Sequence, residues 1–131
     1  IWDHMCKTPI MSFDLGLAVA DVAWAPYSST VFAAATADLT CRVYDLNIDK
    51  HGELCKSKIL RRGRLTQVQF NPTQPILIVG DEKGGINCYK LSPNLRKQPP
   101  PPAEGEEVKP VEDVEIKKME DLLASIDRTV Y

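Results

Sequence analysis

Short apolar runs separated by polar turns recur along the first 95 residues. Residues 30–36 and 76–80 are runs of this kind, and a polar turn and a second strand-like stretch follow each of them, at 41–46 and 86–91. A short apolar run bounded by turn residues is typical of a buried strand. The pattern predicts strands at residues 1–3, 9–14, 18–24, 30–36, 41–46, 54–60, 65–70, 75–80 and 86–91.

These strands form a repeat. Residues 22–26 (Val-Ala-Trp-Ala-Pro) align with residues 68–72 (Val-Gln-Phe-Asn-Pro), and Tyr44 aligns with Tyr89, 45 residues later. Trp2 lies 42 residues before Tyr44, which makes it the tail of a third copy. A period in the forties with several strands in each copy indicates a β-propeller built from four-stranded blades.

The two ends of the repeat lead to two further expectations. Residues 18–24 are apolar enough to predict a strand buried on both faces, close to the propeller axis. The second copy stops after residue 91, where Ser-Pro-Asn replaces a fourth strand. Because propellers close their open edges, we expect the missing strand to come from the N-terminal part of the same propeller. The chain also opens inside a motif, so we interpret it as a fragment of a longer protein.

The composition changes after residue 95. Residues 96–110 contain four consecutive prolines and a cluster of glutamates, which is typical of an extended, semi-rigid linker. Residues 111–131 form a predicted amphipathic helix. Such a helix is marginal alone in water, so we expect its apolar stripe to dock on the propeller or on another subunit. The alternative is a mostly disordered tail. The stripe is a predicted partner-binding surface and comprises Ile116, Met119, Leu122, Leu123, Ile126 and Val130.

Charge and hydropathy exclude some classes of protein. The 131 residues carry a net charge of −2 and the sequence pI is about 5.7. This balance argues against a dedicated nucleic-acid binder, in which a basic balance is expected. No apolar run approaches the roughly 18 residues that a membrane-spanning helix needs. Neither a nucleic acid nor a membrane is therefore an expected partner.

Five cations lie within nine residues and form a candidate basic patch. They cover the predicted outer strand and the loop after it. Lysines on an edge strand discourage unwanted pairing, so a solvated edge explains the charges. The functional alternative is a surface for an acidic partner, such as a microtubule, RNA or an acidic protein segment. No aromatic residue interleaves, which disfavours base stacking. The patch comprises Lys56, Lys58, Arg61, Arg62 and Arg64.

Reactive chemistry is sparse. His4 is close in sequence to Cys6, and His51 is close to Cys55, but these spacings are not those of zinc modules. The Gly-rich stretch 80–85 lacks the Lys-Ser/Thr ending of a phosphate loop and indicates a hairpin turn. The four cysteines include no Cys-x-x-Cys pair, which favours free thiols in a reducing compartment. We predict no catalytic residue, cofactor or metal site, and hence no enzyme.

The repeats resemble WD-repeat propellers. Residues 2–3 (Trp-Asp) and 44–45 (Tyr-Asp) stand at the positions that give these repeats their name, and Asp38 matches the Asp often found in the preceding turn. The second copy departs, because Lys90 and Lys83 replace the two acids. The resemblance implies an all-β fold for residues 1–95, comprising the last blades of a propeller, followed by the linker and one C-terminal helix.

A more specific resemblance covers nearly all of residues 1–97. Residues 21–34, 65–71, 78–81 and 91–97 are similar to the end of the propeller in dynein intermediate chains, above all those of the axonemal outer arm, intermediate chain 1 type. The resemblance implies a non-catalytic scaffold that supports motor assembly and attachment to doublet microtubules. The alternative interpretation is a WD-repeat adaptor of another complex, either a substrate receptor or an RNA-processing scaffold.

The same resemblance implies a set of partners and a location. The propeller would bind the tail of a dynein heavy chain and lie beside another dynein intermediate chain. Dynein light chains would bind the N-terminal region that this chain lacks, and tubulin or docking proteins are further candidates. The location implied is the axoneme of the cilium or flagellum, within the cytoskeleton, with a cytoplasmic stage during preassembly.

Overall fold

The computed structural model of the protein describes residues 1–59, 61–95 and 111–126. These residues form two antiparallel sheets, a single 3-10 turn at Pro93–Leu95 and one helix, α1, at Val111–Ser125. The first sheet has four strands in chain order, namely β1 (Val19–Trp24), β2 (Val31–Thr36), β3 (Thr40–Asp45) and β4 (Cys55–Lys58). The second sheet has three strands, β5 (Leu65–Phe70), β6 (Ile76–Asp81) and β7 (Ile86–Lys90).

The strand register confirms the repeat. A row of aromatic side chains crosses the first sheet from Trp24 through Phe32 to Tyr44. In the second sheet the corresponding row is Phe70, Leu77 and Tyr89. The first strand of each sheet also carries a bulge at the same place in the repeat, at Val19/Asp21 and at Leu65/Gln67.

The core lies between the two sheets. Successive side chains of a strand point to opposite faces of the sheet, so each sheet presents one face to the other. The first sheet contributes small residues such as Ala33 and Val43, and the second sheet contributes larger ones such as Phe70 and Leu77. Small side chains opposite large ones allow the two faces to interdigitate at the density of a protein interior.

The prediction that β1 is buried on both faces was wrong. Ala23 packs against the core, but Val22 is 60% exposed and Trp24 is 49% exposed. Both of these residues lie on the face of the first sheet that points away from the second sheet. An apolar run specifies that a strand can be buried, but whether each face is covered depends on which elements pack against it.

Residues 1–18 do not form the two predicted strands. The amino group of Ile1 donates to the carbonyl of Met11 at 2.8 Å, which closes a loop within this segment. Phe13 then packs against the aromatic row, with ring centroids 5.7 Å from Phe32 and 5.3 Å from Tyr44. The segment pairs with itself instead of extending the sheet. It leaves an apolar cavity of about 330 Å³ over the outer face of β1 and β2.

The second sheet ends after its third strand, as predicted. After β7 the chain enters the 3-10 turn, where the hydroxyl of Tyr27 donates to the carbonyl of Leu95 at 2.6 Å. This bond ties the end of the second sheet to the β1–β2 turn of the first. The predicted linker at 96–110 and residues 127–131 of the predicted helix lie outside the described residues.

Candidate interaction surfaces

Helix α1 docks on the β1–β2 turn through a buried carboxylate. The carboxylate of Glu115 accepts a hydrogen bond from the backbone amide of Ser29 at 2.7 Å. The Ser29 hydroxyl lies 2.9 Å from both the Glu115 carboxylate and the Glu115 carbonyl oxygen. Hydrogen bonds to an ionised group are stronger than neutral ones, so this contact fixes the first turns of the helix on the sheet.

Two lysines extend the contact. The ammonium group of Lys118 donates to the Ser28 hydroxyl at 3.0 Å and lies 3.4 Å from the Glu115 carboxylate. Lys50, from the loop after β3, donates to the hydroxyl of Ser125 near the end of the helix. Burial raises the pKa of Glu115, but the hydrogen bonds from the serine of the turn and the charge of Lys118 outweigh it and hold that pKa below its ordinary value.

The predicted apolar stripe is only partly buried. Leu122 is 5% exposed, whereas Ile116 is 56% exposed. Three further members, Met119, Leu123 and Ile126, are half-buried, and Val130 lies outside the described residues. The helix therefore docks by a face that is rotated from the stripe, and Ile116 remains accessible as a contact for another molecule.

The residues that sequence reasoning missed in this contact are polar. These are Glu115 and Lys118. Their spacing of three residues, and of four from Lys118 to the predicted Leu122, places all three on one face of the helix. The spacing was readable from the sequence, but a search for apolar periodicity passes over a glutamate and a lysine. The serines of the β1–β2 turn gave no signal, because a turn cluster is the ordinary interpretation of such residues.

A buried polar network lies beneath the same turn. The hydroxyl of Thr30 donates to the carboxylate of Asp45 at 2.9 Å, and the same carboxylate accepts the backbone amide of Asn47 at 3.0 Å. Ser28, which contacts Lys118 of the helix, lies 3.4 Å from the Thr30 hydroxyl. The helix is thus connected by hydrogen bonds to the Asp of the Tyr-Asp motif.

A second network fixes the opposite end of the first sheet. Arg42 donates to Asp38 and to Glu53, at 2.9 Å in each case. The hydroxyl of Thr36 donates to the other oxygen of the Asp38 carboxylate. Burial raises the pKa of Asp38, but these hydrogen bonds and the charge of Arg42 hold it below its ordinary value. The network joins β2, β3 and the loop before β4.

The basic patch is fully solvent-facing. All five of its side chains are exposed, with two on β4 and three in the loop that leads to β5. Among the described residues, none of the five takes part in a salt bridge. The members are Lys56, Lys58, Arg61, Arg62 and Arg64.

The outer face of the second sheet carries exposed apolar side chains that no described residue covers. Ile86 is 72% exposed and Cys88 is also exposed. Their counterparts in the first sheet, Cys41 and Val43, are 4% and 5% exposed because the second sheet covers them. The same repeat position is therefore a core position in one sheet and a surface position in the other.

Candidate reactive groups are not brought together. In the three described ranges, no group of three or more His, Cys, Asp or Glu is placed to hold a metal ion. Burial and the neighbouring Cys55 raise the pKa of Cys41 to about 11, so its thiol is protonated at neutral pH. A protonated thiol is a poor nucleophile. No helix in the described part of the chain is long and apolar enough to cross a membrane.

Comparison with known proteins identifies relatives along nearly the whole chain. The chain is 48% identical over 129 residues to "Dynein intermediate chain 2, ciliary" of Heliocidaris crassispina, which covers 96% of this chain and 18% of that protein. It is 52% identical over 125 residues to "Dynein axonemal intermediate chain 1" of Bos taurus, with 94% and 18% covered. It is 42% identical over 117 residues to "Dynein, 78 kDa intermediate chain, flagellar outer arm" of Chlamydomonas reinhardtii, with 89% and 16% covered.

Comparisons with family profiles and with solved structures do not identify further relatives. No profile of a protein family matches the chain. Among solved structures, the computationally designed Ika4 protein matches with a TM-score of 0.45 and 21% identity, over 57% of this chain and 42% of that one. This similarity is too low to carry an argument about the fold. The chain spans 16–18% of the length of the three dynein relatives named above.

The similarity to these relatives extends over both copies of the strand repeat. Their identity of 42–52% extends over 89–96% of this chain, far beyond the length of a single repeat. The two sheets are accordingly blades of a WD-repeat propeller. The chain belongs to the axonemal dynein intermediate chain family.

Proposed function

We propose that the protein is a non-catalytic scaffold subunit of the outer dynein arm in cilia and flagella. The observation that carries the proposal is the identity of 42–52% to ciliary and flagellar outer-arm intermediate chains over nearly the whole chain. The propeller binds the tail of a dynein heavy chain, next to another intermediate chain. The assembly then attaches to the doublet microtubules of the axoneme, after a preassembly stage in the cytoplasm.

The structure supports a role in holding other subunits rather than in catalysis. Charged groups of the first sheet hold its strands together, as in the Arg42 pairs with Asp38 and Glu53. The docked helix carries an exposed apolar residue, Ile116, that a partner can cover. Stable protein–protein interfaces need about 800 Å² from each partner, and this residue contributes to such an area.

The C-terminal helix acts in this proposal as a brace with a second, outward contact. Its inner face is fixed on the first sheet through Glu115 and Lys118. Its outer face carries the exposed Ile116 among acidic residues such as Glu112 and Glu120. A partner that covers Ile116 would contact the helix and the propeller at the same time.

The test is capture of the full-length tagged protein from ciliated cells, followed by crosslinking and mass spectrometry. The expected result is co-purification of a dynein heavy chain, with crosslinks from Lys117, which is exposed on the helix, to the heavy-chain tail. Capture without any dynein subunit would reject the proposal in favour of an adaptor for another complex.

A matched pair of variants locates the contact. Ile116→Glu changes the exposed apolar residue of the helix, and Glu120→Lys changes an exposed charge one turn further on. We expect Ile116→Glu to reduce heavy-chain recovery and Glu120→Lys to leave it within about twofold, because exposed rim charges contribute little to affinity. Equal recovery with both variants would exclude the helix from the contact while leaving the scaffold role in place.

A further inference from the structure

No side chain of the basic patch forms a salt bridge within the described residues. The acids of the first sheet that lie in the same region, Asp38 and Glu53, are both bound to Arg42 at 2.9 Å. Glu82 reaches the loop side of the patch, where its amide donates to the carbonyl of Arg64, but its carboxylate makes no salt bridge there. Five positive charges within nine residues therefore have no salt-bridge partner among the described residues.

The geometry of β4 adds directional backbone groups to these charges. The strand is last in the order of the first sheet, so its outer side is unpaired in the described part of the chain. In an antiparallel edge strand, alternate residues direct their N–H and C=O groups outward. Lys56 lies opposite Arg42 and Lys58 lies opposite Thr40, which places the two lysines on the same face of the sheet.

We propose that an acidic, extended protein segment binds along β4 and the following basic loop. Its backbone would add a strand to the first sheet, and its carboxylates would lie against the lysines of β4 and the arginines of residues 61–64. Lysines on an edge discourage pairing with most strands, but they are complementary to a strand that carries acids. The inference goes beyond the scaffold role and does not depend on it.

The length and chemistry of the patch favour a peptide over a nucleic acid. The patch spans less than the roughly 30 Å of nine fully extended residues, because residues 61–63 form bends, so a peptide of nine residues can cover it. No aromatic side chain lies between Lys56 and Arg64 on which a base could stack. An edge strand also offers main-chain hydrogen bonds, which a peptide backbone satisfies and a phosphate backbone does not.

The experiment measures binding of a fluorescent peptide of alternating Glu and Thr, about nine residues long, to the full-length protein by anisotropy. We expect binding that weakens with salt, and amide hydrogen exchange that slows in residues 55–58 when the peptide is present. The double variant Lys56→Glu/Lys58→Glu should reduce the affinity by about tenfold or more. The milder Lys56→Gln/Lys58→Gln variant should give an intermediate loss. Circular dichroism verifies that both variants remain folded.

The control is Lys90→Glu, which reverses an exposed lysine at the end of the second sheet that is opposite to the basic loop. It should change the affinity by less than about twofold, since charges more than a Debye length away are largely screened. Undetectable binding, or equal losses in control and patch variants, would overturn the proposal. If amide hydrogen exchange at residues 55–58 did not change when the peptide was added, the peptide would not pair with β4 as an additional strand. If a poly-dT oligonucleotide bound more tightly than the acidic peptide, the ligand of the patch would be a nucleic acid and the proposal would be wrong.

Discussion

The two sheets are copies of one repeat unit with the same strand pairing, but different side chains occupy their equivalent polar positions. In the first sheet, Asp45 accepts a hydrogen bond from Thr30, and Arg42 joins Asp38 to Glu53. In the second sheet the positions of Thr30, Asp38, Arg42 and Asp45 are occupied by Pro75, Lys83, Asn87 and Lys90. The strand register is nevertheless the same in both. The polar networks therefore do not create the blade, and the hydrophobic pattern and the turns suffice for that.

The two sheets are stabilised by different contacts. The first sheet has four strands, buried polar networks and a helix docked on one of its turns. The second sheet has three strands and an exposed outer face, and its large side chains are buried only where they meet the first sheet. We expect the second sheet to depend on the contact between the sheets, and the first sheet to depend more on its internal hydrogen bonds.

The turn between the last two strands shows the same contrast. Leu39 has a φ of +65°, and Gly84 occupies the corresponding position with a φ of +82°. A side chain in this left-handed region costs about 1–2 kcal/mol. In the first sheet the cost is offset because Leu39 is buried in the core cluster. The second sheet uses glycine, which has no such cost and no side chain to bury.

The largest expected effect comes from breaking the contact between the sheets. Phe70→Ala should lower the free energy of unfolding by about 3–5 kcal/mol, because it removes a buried aromatic ring and leaves a cavity. Ile86→Ala, on the exposed face of the same sheet, should change it by less than about 0.5 kcal/mol. Chemical denaturation of the two variants measures both values. Similar losses would show that the outer face is also covered in the protein.

The next largest effect separates the polar networks of the sheets. Asp45→Ala should destabilise the protein by about 1–3 kcal/mol, since it leaves the buried Thr30 hydroxyl and the Asn47 amide without their acceptor. Lys90→Ala, at the matching position of the second sheet, should have an effect within about 0.5 kcal/mol. Thermal denaturation of both variants provides the comparison. A loss for Lys90→Ala that equals the loss for Asp45→Ala would remove the distinction.

A smaller effect is expected in the turn of the second sheet. Gly84→Ala should cost about 1 kcal/mol, because alanine in the left-handed region is strained and no burial offsets the strain. The control is Gly52→Ala, whose added methyl would meet Asp49 at an ordinary 3.5 Å. Denaturation midpoints of the two variants test the difference. A neutral Gly84→Ala would mean that the turn changes its conformation to accept a side chain.

The smallest effect concerns the docked helix and depends on pH. The pKa of Glu115 is below its ordinary value in the folded state, so the docking stabilisation is present above the ordinary pKa, about 4.3. It is lost as the pH falls through the lower folded-state pKa. The protection factor of the Ser29 amide, which corrects its exchange rate for the intrinsic effect of pH, should therefore fall in acid. Glu115→Gln should weaken docking at neutral pH and abolish this pH dependence, and a pH profile identical to that of the unmodified protein would contradict the assignment.

Sequence reasoning recovered the strands of the two copies and missed most of what surrounds them. The runs at 30–36 and 76–80 were predicted as strands and are strands, because short apolar runs and the turn residues around them are local signals. Residues 9–14 have a similar pattern but form no strand, since no neighbouring strand among the described residues pairs with them. The helix begins at Val111 as predicted, and Leu122 of its predicted stripe is buried. The contacts of Glu115 and Lys118 were not predicted, because the periodicity of apolar residues does not detect polar ones.

The repeat, the helix and the family can be recognised in the amino-acid sequence alone. Periodicity, turn residues and identity to relatives are properties of the chain that need no structure. Only the tertiary structure decided which copies of a repeat position are buried. Val43 is a core residue and Cys88 is a surface residue, although the repeat makes them equivalent. The physical reason is that burial depends on the element packed against a face, and two identical positions acquire different environments when only one of them has a neighbouring sheet.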